Sequence, residues 1–307
     1  MLDLITDRMN LKRIFTTIWL LIIGLGVHAQ QGINYTNYGI NVSPINTAGS
    51  FLRQDGELNF TGRQQWVGLE GAPVTYRLSG SLPIGGKGLM AGINLKHEKV
   101  AIEKTNEVLA FVGKSIQLNH SNYLAVSVGA GVSFYNGSFS DLDSQDPAFV
   151  HDLRETEGLV AVSAMFYQPE KYYVGISAPK VSFSKLGISS SDLKINPYNQ
   201  YHFTAGYLIS LTKDFDVKPA TLLTWSKDVD LQADFSAILF LKKTFGLGLN
   251  VRTYGDMAGM AQFILKKVNI GYSYQFNTQT QPLKRSMNNN THEISLAYRF
   301  GKGMPLF

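Results

Sequence analysis

A two-residue alternation of apolar and polar side chains recurs along this chain and constrains its fold more than any other feature. In residues 74–82 one set comprises Val74, Tyr76, Leu78 and Leu82, and the set between them comprises Thr75, Arg77, Ser79 and Ser81. Successive side chains on a strand point to opposite faces, so this period predicts strands with one apolar and one polar face. After residue 30 no apolar run approaches the length of a membrane helix.

The same pattern predicts about fourteen strands, and most are close to the 9–11 residues that a tilted strand needs to cross a bilayer. The predicted strands are 57–67, 73–83, 88–97, 107–117, 123–135, 157–167, 171–178, 200–211, 215–226, 229–241, 244–252, 256–265, 267–277 and 291–300. A closed barrel suits strands that cross a bilayer, because it leaves no unpaired backbone edge in hydrocarbon.

The connections between these strands alternate between two kinds. The short set is 84–88, 119–122, 168–171, 212–215, 242–244 and 266–267, and the other set includes the long segments 97–106, 136–156, 179–199 and 277–291. Two short connections, 226–228 and 253–256, fall among the long ones. An up-and-down barrel sorts its connections onto two rims in this way. The sequence therefore predicts an all-β, transmembrane, antiparallel up-and-down β-barrel of about 14 strands, with short periplasmic turns and long extracellular loops.

In such a barrel the usual arrangement of faces is reversed, because the outer wall meets lipid. We expect Val74, Tyr76, Leu78 and Leu82 to face lipid, and Thr75, Arg77, Ser79 and Ser81 to face the lumen. The glycine-rich turn 84–88 is then a hairpin on the periplasmic rim. A phosphate-binding loop is the weaker interpretation, because no helix or Lys–Ser/Thr pair follows these glycines.

The first residues predict export. Lys12 and Arg13 precede the apolar run 14–27, and Val27 and Ala29 occupy the small-residue positions of a signal-peptidase site. We therefore expect a signal peptide at 1–29, a periplasmic or plug-like segment at 30–56 and the barrel at 57–307. Translation starts at Met1 or at Met9; the residues leave both open.

Composition excludes several functions. The chain has no cysteine, which rules out disulfides, thiolate metal sites and a cysteine nucleophile. Its net charge of +5 would permit binding to nucleic acid, but the basic residues are scattered and form no patch with interleaved aromatics. We expect no nucleic-acid partner.

No group of residues carries a recognisable catalytic or ligand-binding pattern. The best oxygen cluster comprises Asp141, Asp143, Asp146 and Asp152, but it lacks the spacing and the central glycine of a calcium loop. His202 has Thr204 and Ser210 on its own face, which favours a polar lumen residue over a hydrolase centre. We predict no enzyme activity, no cofactor and no metal site.

Seven ordered segments resemble the PorP/SprF family, which consists of membrane proteins of the Bacteroidota type IX secretion and gliding-motility apparatus. They are "VSPINTAGSF" at 42–51, "RQQWVGLEGAPVTYRLSGSLPI" at 63–84, "DPAF" at 146–149, "KYYVGISAPK" at 171–180, "YHFTAGYLISL" at 201–211, "DVKPATLLTW" at 216–225 and "HEISLAYRF" at 292–300. The first segment keeps Pro44, Ala48 and Gly49 of the usual family pattern. It departs from that pattern at Ser43, Ile45 and Thr47.

The resemblance implies an outer-membrane barrel without enzyme activity that supports export or surface anchoring of a partner protein. The implied partners are outer-membrane lipid, type IX secretion or gliding components, and a secreted surface protein with a type IX C-terminal domain. Asp146, Pro147 and Phe149 are candidate partner contacts. The family motifs assign structural roles to Arg63, Gln65, Trp66, Gly68, Gly71, Pro73, Ala178 and Pro179. A channel for small or apolar solutes remains the alternative.

Overall fold

The computed structural model describes residues 36–53, 55–85, 88–141, 151–185, 199–226, 229–253, 256–277 and 290–300. Residues Ile33–Phe307 form one compact unit. The predicted signal peptide and the candidate contacts Asp146, Pro147 and Phe149 lie outside the described residues.

The described chain forms fifteen strands. They are β1 (Glu57–Gln64), β2 (Val74–Pro83), β3 (Leu89–Val100), β4 (Glu103–Gln117), β5 (Tyr123–Gly137), β6 (Leu153–Gln168), β7 (Tyr172–Lys185), β8 (Gln200–Tyr207), β9 (Ile209–Ser210), β10 (Phe215–Ser226), β11 (Val229–Leu241), β12 (Phe245–Arg252), β13 (Asp256–Leu265), β14 (Val268–Asn277) and β15 (Thr291–Arg299). The two-residue β9 continues β8 after an interruption at Leu208, and both pair with β10. The barrel therefore has fourteen strand positions, as the sequence predicts.

Pairing is antiparallel and follows chain order, and the last strand closes the barrel against the first. β15 pairs with β1 over eight residues, from Glu57 opposite Arg299 to Gln64 opposite His292. This closed up-and-down topology confirms the predicted fold class. Among the described residues, no helix is long and apolar enough to cross a membrane.

One predicted long loop is wrong. The segment 97–106 continues the β3–β4 ladder, with His97 opposite Asn106 and Val100 opposite Glu103, so only Ala101 and Ile102 form the turn. Beyond the apolar stretch both faces of this hairpin carry polar residues, which removes the alternation on which the sequence prediction depended. Backbone pairing and polar side-chain contacts, such as His97 Nδ1 with Asn106 Oδ1 at 2.7 Å, hold the strands together without an apolar face.

The two faces of β2 differ sharply in exposure. Tyr76 and Leu82 expose 49% and 54% of their surface on the outside of the barrel, and Leu78 is also exposed. Thr75, Ser79 and Ser81 are buried inside, whereas Val74 and Arg77 are half-buried. Three apolar outer residues and three polar inner residues thus give the wall an apolar exterior. Contact of that exterior with lipid remains a prediction.

A charge on this exterior should destabilise the barrel. We expect Leu78→Lys to lower the free energy of unfolding by about 2–4 kcal/mol if the residue lies at the bilayer midplane, because the ammonium group would enter hydrocarbon. Urea unfolding of the barrel in lipid vesicles measures the effect. Leu78→Phe keeps an apolar side chain at the same position and should unfold close to the wild type. Equal stability of the two variants would contradict the orientation.

Candidate functional site

The barrel interior is occupied by the chain's own residues Thr36–Arg53, here called the plug. Its side chains bond to inward-facing residues on opposite sides of the barrel. Asn41 Nδ2 donates to Ser79 Oγ of β2 at 2.7 Å, Thr47 Oγ1 lies 2.6 Å from Ser127 Oγ of β5, and Tyr38 Oη lies 3.0 Å from Ser236 Oγ of β11. A segment that bonds to strands around the whole circumference lies within the lumen.

The second half of the plug is a short 3-10 helix, Thr47–Arg53, that packs at the short-turn end of the lumen. Phe51 and Leu52 of this helix join a buried cluster whose other members are Val42, Ala48, Met90, Ala125, Met165, Tyr167 and Tyr173. Gly49 permits the close approach, since a Cβ there would lie 2.7 Å from the Val42 side chain. The apolar cluster thus seals this end against water.

The first half of the plug is held by a buried carboxylate on the last strand. Glu293 accepts hydrogen bonds from the backbone N–H groups of Thr36 at 2.9 Å and Asn37 at 2.6 Å. The Arg63 guanidinium donates to Glu293 at 2.9 Å and to Gln275 Oε1 at 2.8 Å. The Arg63 and Glu293 side chains are 3% and 1% exposed. Both charges are therefore desolvated but well supplied with partners, the condition under which a buried ion pair is tolerated.

Further polar groups hold the middle of the plug. Lys218 Nζ of β10 donates to the carbonyl of Gly39 at 3.2 Å, and Arg53 donates to the carbonyl of Ile40 at 2.7 Å while pairing with Glu57. Burial raises the pKa of the Tyr38 phenol above its usual value, so this group stays neutral. The plug is thus fixed by neutral and charge-assisted hydrogen bonds along its length.

Two small cavities flank the plug, and a larger pocket of about 640 Å³ lies at the wall of β6, β7 and β8, where Ser127, Ser163, Ser177 and His202 form part of its lining. A cavity of about 20 Å³ lies between it and the wall beside Lys218, enough for roughly one water molecule. A second cavity of about 100 Å³ lies beside Pro44 and Ile45 and is lined by Arg77, Lys96, Glu107, Lys180 and His202. Lys96 and Lys180 both pair with Glu107, at 3.1 and 2.5 Å. The two cavities beside the plug would hold a few waters each and are too small to pass a solute.

A comparison with known protein families identifies the family of this chain. The profile described as type IX secretion system membrane protein PorP/SprF matches residues 27–298. The chain belongs to the PorP/SprF family. No curated protein sequence matches it.

Solved structures similar to this PorP/SprF chain include the monoaromatic hydrocarbon channel CymD, with 13% identity, coverage of 89% of this chain and 95% of that chain, and a TM-score of 0.48. The outer membrane protein Omp33 of Acinetobacter baumannii has 10% identity, coverage of 80% and 98%, and a TM-score of 0.45.

The first set of PorP/SprF motif residues shapes the β1–β2 connection. Gln65 N–H donates to the carbonyl of Pro73 at 2.9 Å, which closes the base of this loop. Gly68 and Gly71 have φ values of 98° and 73°, and a Cβ on Gly71 would lie 3.2 Å from Ala101. Trp66 also has positive φ and is exposed on the rim. Glycine is therefore required where the loop reverses and where it touches the neighbouring turn.

The other motif residues, Ala178 and Pro179, lie in β7 where its pairing with both neighbours shifts register. Proline cannot donate to a strand ladder, which explains an irregularity at this point. On the same strand Tyr173 is buried inside the barrel. It shares the inward face with Gly175 and Ser177.

Several lumen residues have clear partners. Arg252 donates to Asp234 at 2.6 Å, and Gln232 donates to the same carboxylate at 2.8 Å. His202 is buried with Nδ1 3.0 Å from Thr224 Oγ1. Within the described ranges, no group of three or more His, Asp or Glu side chains could hold a metal ion.

Sequence reasoning missed Glu293, Lys218 and Arg299, the charged wall residues that bond to the plug backbone in the described part of the chain. The available signal was the presence of a lone charge on an otherwise small or polar inner face, as in Thr291, Glu293 and Ser295 of β15. That signal marks a lumen residue but does not identify its partner.

Proposed function

We propose that this PorP/SprF protein is a non-enzymatic outer-membrane component of the type IX machinery that supports export of a partner secreted protein or anchors it at the cell surface. The observation that carries the proposal is the filled lumen. A passive solute channel needs a continuous water path, and here the plug takes up that path with buried apolar and hydrogen-bonded residues. The barrel then supplies membrane attachment, and the partner binds outside the lumen.

The plug would also help the barrel to withstand a pulling force on an anchored surface protein. Its bonds to β2, β5, β10, β11 and β15 tie distant parts of the wall to one internal segment. A barrel braced from inside resists deformation when a surface protein pulls on its loops. The apolar exterior, including Val74, Tyr76, Leu78 and Leu82, would hold it in lipid after export by a cleaved signal peptide.

The long-loop rim is the surface that we assign to the partner. The β5–β6 connection carries the candidate contacts Asp146, Pro147 and Phe149, and the β1–β2 loop on the same rim is held by the Gln65–Pro73 bond. The resemblance suggests that the partner carries a type IX C-terminal domain. Other type IX secretion or gliding components complete the assembly in this proposal.

Affinity capture of the tagged barrel from native membranes tests the proposal. We expect recovery of a secreted protein with a type IX C-terminal domain, and loss of that protein when residues 142–150 are replaced by a short Gly–Ser linker. In the matched control, Lys242 and Lys243 of the β11–β12 turn, on the opposite rim, are replaced by Gln. This variant should still recover the secreted protein. Capture of the barrel without any secreted protein would contradict the anchoring role.

A further inference from the structure

The two rims of the barrel differ strongly in charge. Around the short-turn rim, seven described lysines are exposed, namely Lys114, Lys171, Lys213, Lys242, Lys243, Lys266 and Lys267, here called the lysine ring. Only two exposed carboxylates, Glu170 and Asp214, lie among the described residues of these turns. The exposed charges described on the long-loop rim are balanced, with Lys99, Lys104 and Arg154 against Glu70, Glu103 and Asp230.

Turn formation does not account for these lysines. Lys242 and Lys243 are the central residues of a turn closed by a bond from Thr244 N–H to the carbonyl of Leu241, and their φ values are 50° and 54°. Lys266 opens the β13–β14 turn with φ 38°. Asn, Asp and Gly are the residues that such hairpin turns favour. Lysine at three left-handed positions sacrifices turn propensity, so a role for the charge explains its presence.

The ring is distributed in a way that suits a surrounding partner. Its members come from the β6–β7, β9–β10, β11–β12 and β13–β14 turns and from the end of β4. Lys114 projects from the outer wall, opposite the first residue of β3 and between the exposed apolar residues Val112 and Ile116. A partner docked below the barrel would leave this outward lysine unused, whereas lipid headgroups would reach it.

Aromatic pairs mark the same rim as a membrane interface. Tyr172 and Tyr207 stack with ring centroids 6.2 Å apart, and Tyr298 and Phe300 meet edge to face at 5.2 Å. Aromatic girdles lie at headgroup level in outer-membrane barrels. The turns extend only a few residues beyond the strands, so the ammonium groups of the ring lie at about that level.

We propose that the lysine ring binds the phosphate groups of anionic phospholipids in the periplasmic leaflet of the outer membrane. Each lysine close to an anionic headgroup layer should favour association about fivefold at low ionic strength, and salt should screen the effect. The ring therefore fixes the depth of the barrel and gathers anionic lipid around its periplasmic rim.

Electron paramagnetic resonance of the folded barrel in phosphatidylcholine vesicles, with trace spin-labelled phosphatidylglycerol or phosphatidylcholine, tests the proposal. We expect several-fold stronger association of phosphatidylglycerol, reduced by raising salt from about 0.05 M to about 0.5 M. The variant Lys242→Gln, Lys243→Gln, Lys266→Gln, Lys267→Gln should lose most of this preference. Lys99→Gln with Lys104→Gln, two exposed lysines on the other rim, should keep it.

A second variant separates charge from turn geometry. Lys242→Asn with Lys243→Gly gives the hairpin the residues its backbone favours, so it should fold at least as well as the wild type and still weaken the phosphatidylglycerol preference. Equal association of both lipids with the wild type would overturn the proposal. An acidic protein surface would then be the partner that fits the lysine ring. Retention of the preference by the four-lysine variant would overturn it too.

Discussion

Deletion of residues 36–53 is expected to convert a closed barrel into a conducting one. In planar bilayers the wild type should show no discrete channel steps, and the variant should show them. The plug fills the lumen of a fourteen-stranded barrel, and without it the inner wall is lined by polar residues such as Ser79, Ser127 and Ser236. Barrels wider than the side-chain-filled eight-stranded kind can enclose a water path once nothing occupies them.

A disulfide that ties the plug to the barrel wall provides the control for this experiment. Thr47 Oγ1 and Ser127 Oγ lie 2.6 Å apart, so Thr47→Cys with Ser127→Cys should form a disulfide that holds the intact plug in the lumen. The chain has no other cysteine to interfere. The oxidised tethered barrel should stay closed under voltage. Conductance of the wild type equal to that of the deletion variant would contradict the sealing role.

The outer wall could be predicted from sequence because one physical requirement determines it. Every second residue of a strand that crosses a bilayer must be apolar, and β2 and β15 meet this requirement almost without exception. The hairpin of β3 and β4 shows where the signal ends. Its last residues carry polar side chains on both faces, so the sequence has no alternation there and predicts strands shorter than they are.

The interior could be predicted only in part. Sequence shows that Arg63 and Glu293 belong to inner faces, but their contact depends on the closure of the barrel. They lie directly opposite each other in the register of β15 against β1, which joins the two ends of the barrel. The plug residues Thr36 and Asn37, which belong to no strand of the wall, complete the site from within the lumen. No local pattern contains the information that these four residues meet.

Removal of Glu293 is expected to produce the largest stability loss of any single substitution considered for this barrel. Glu293→Ala would leave the buried guanidinium of Arg63 and the backbone N–H groups of Thr36 and Asn37 without their shared acceptor. Breaking a buried pair in this way costs about 3–5 kcal/mol, because the remaining charge is not rehydrated. Urea unfolding in lipid vesicles at neutral pH measures the loss.

Two further variants separate the charge from the packing. Glu293→Gln keeps an acceptor for the plug N–H groups but removes the charge, so its loss should be smaller than that of Glu293→Ala. Arg63→Met combined with Glu293→Leu removes both charges and fills similar volume, and should cost less than Glu293→Ala alone, since no unpaired charge stays buried. A double variant whose loss equals the sum of the single losses would show that the two residues act independently. That result would contradict the proposal that the Arg63–Glu293 ion pair supports the plug.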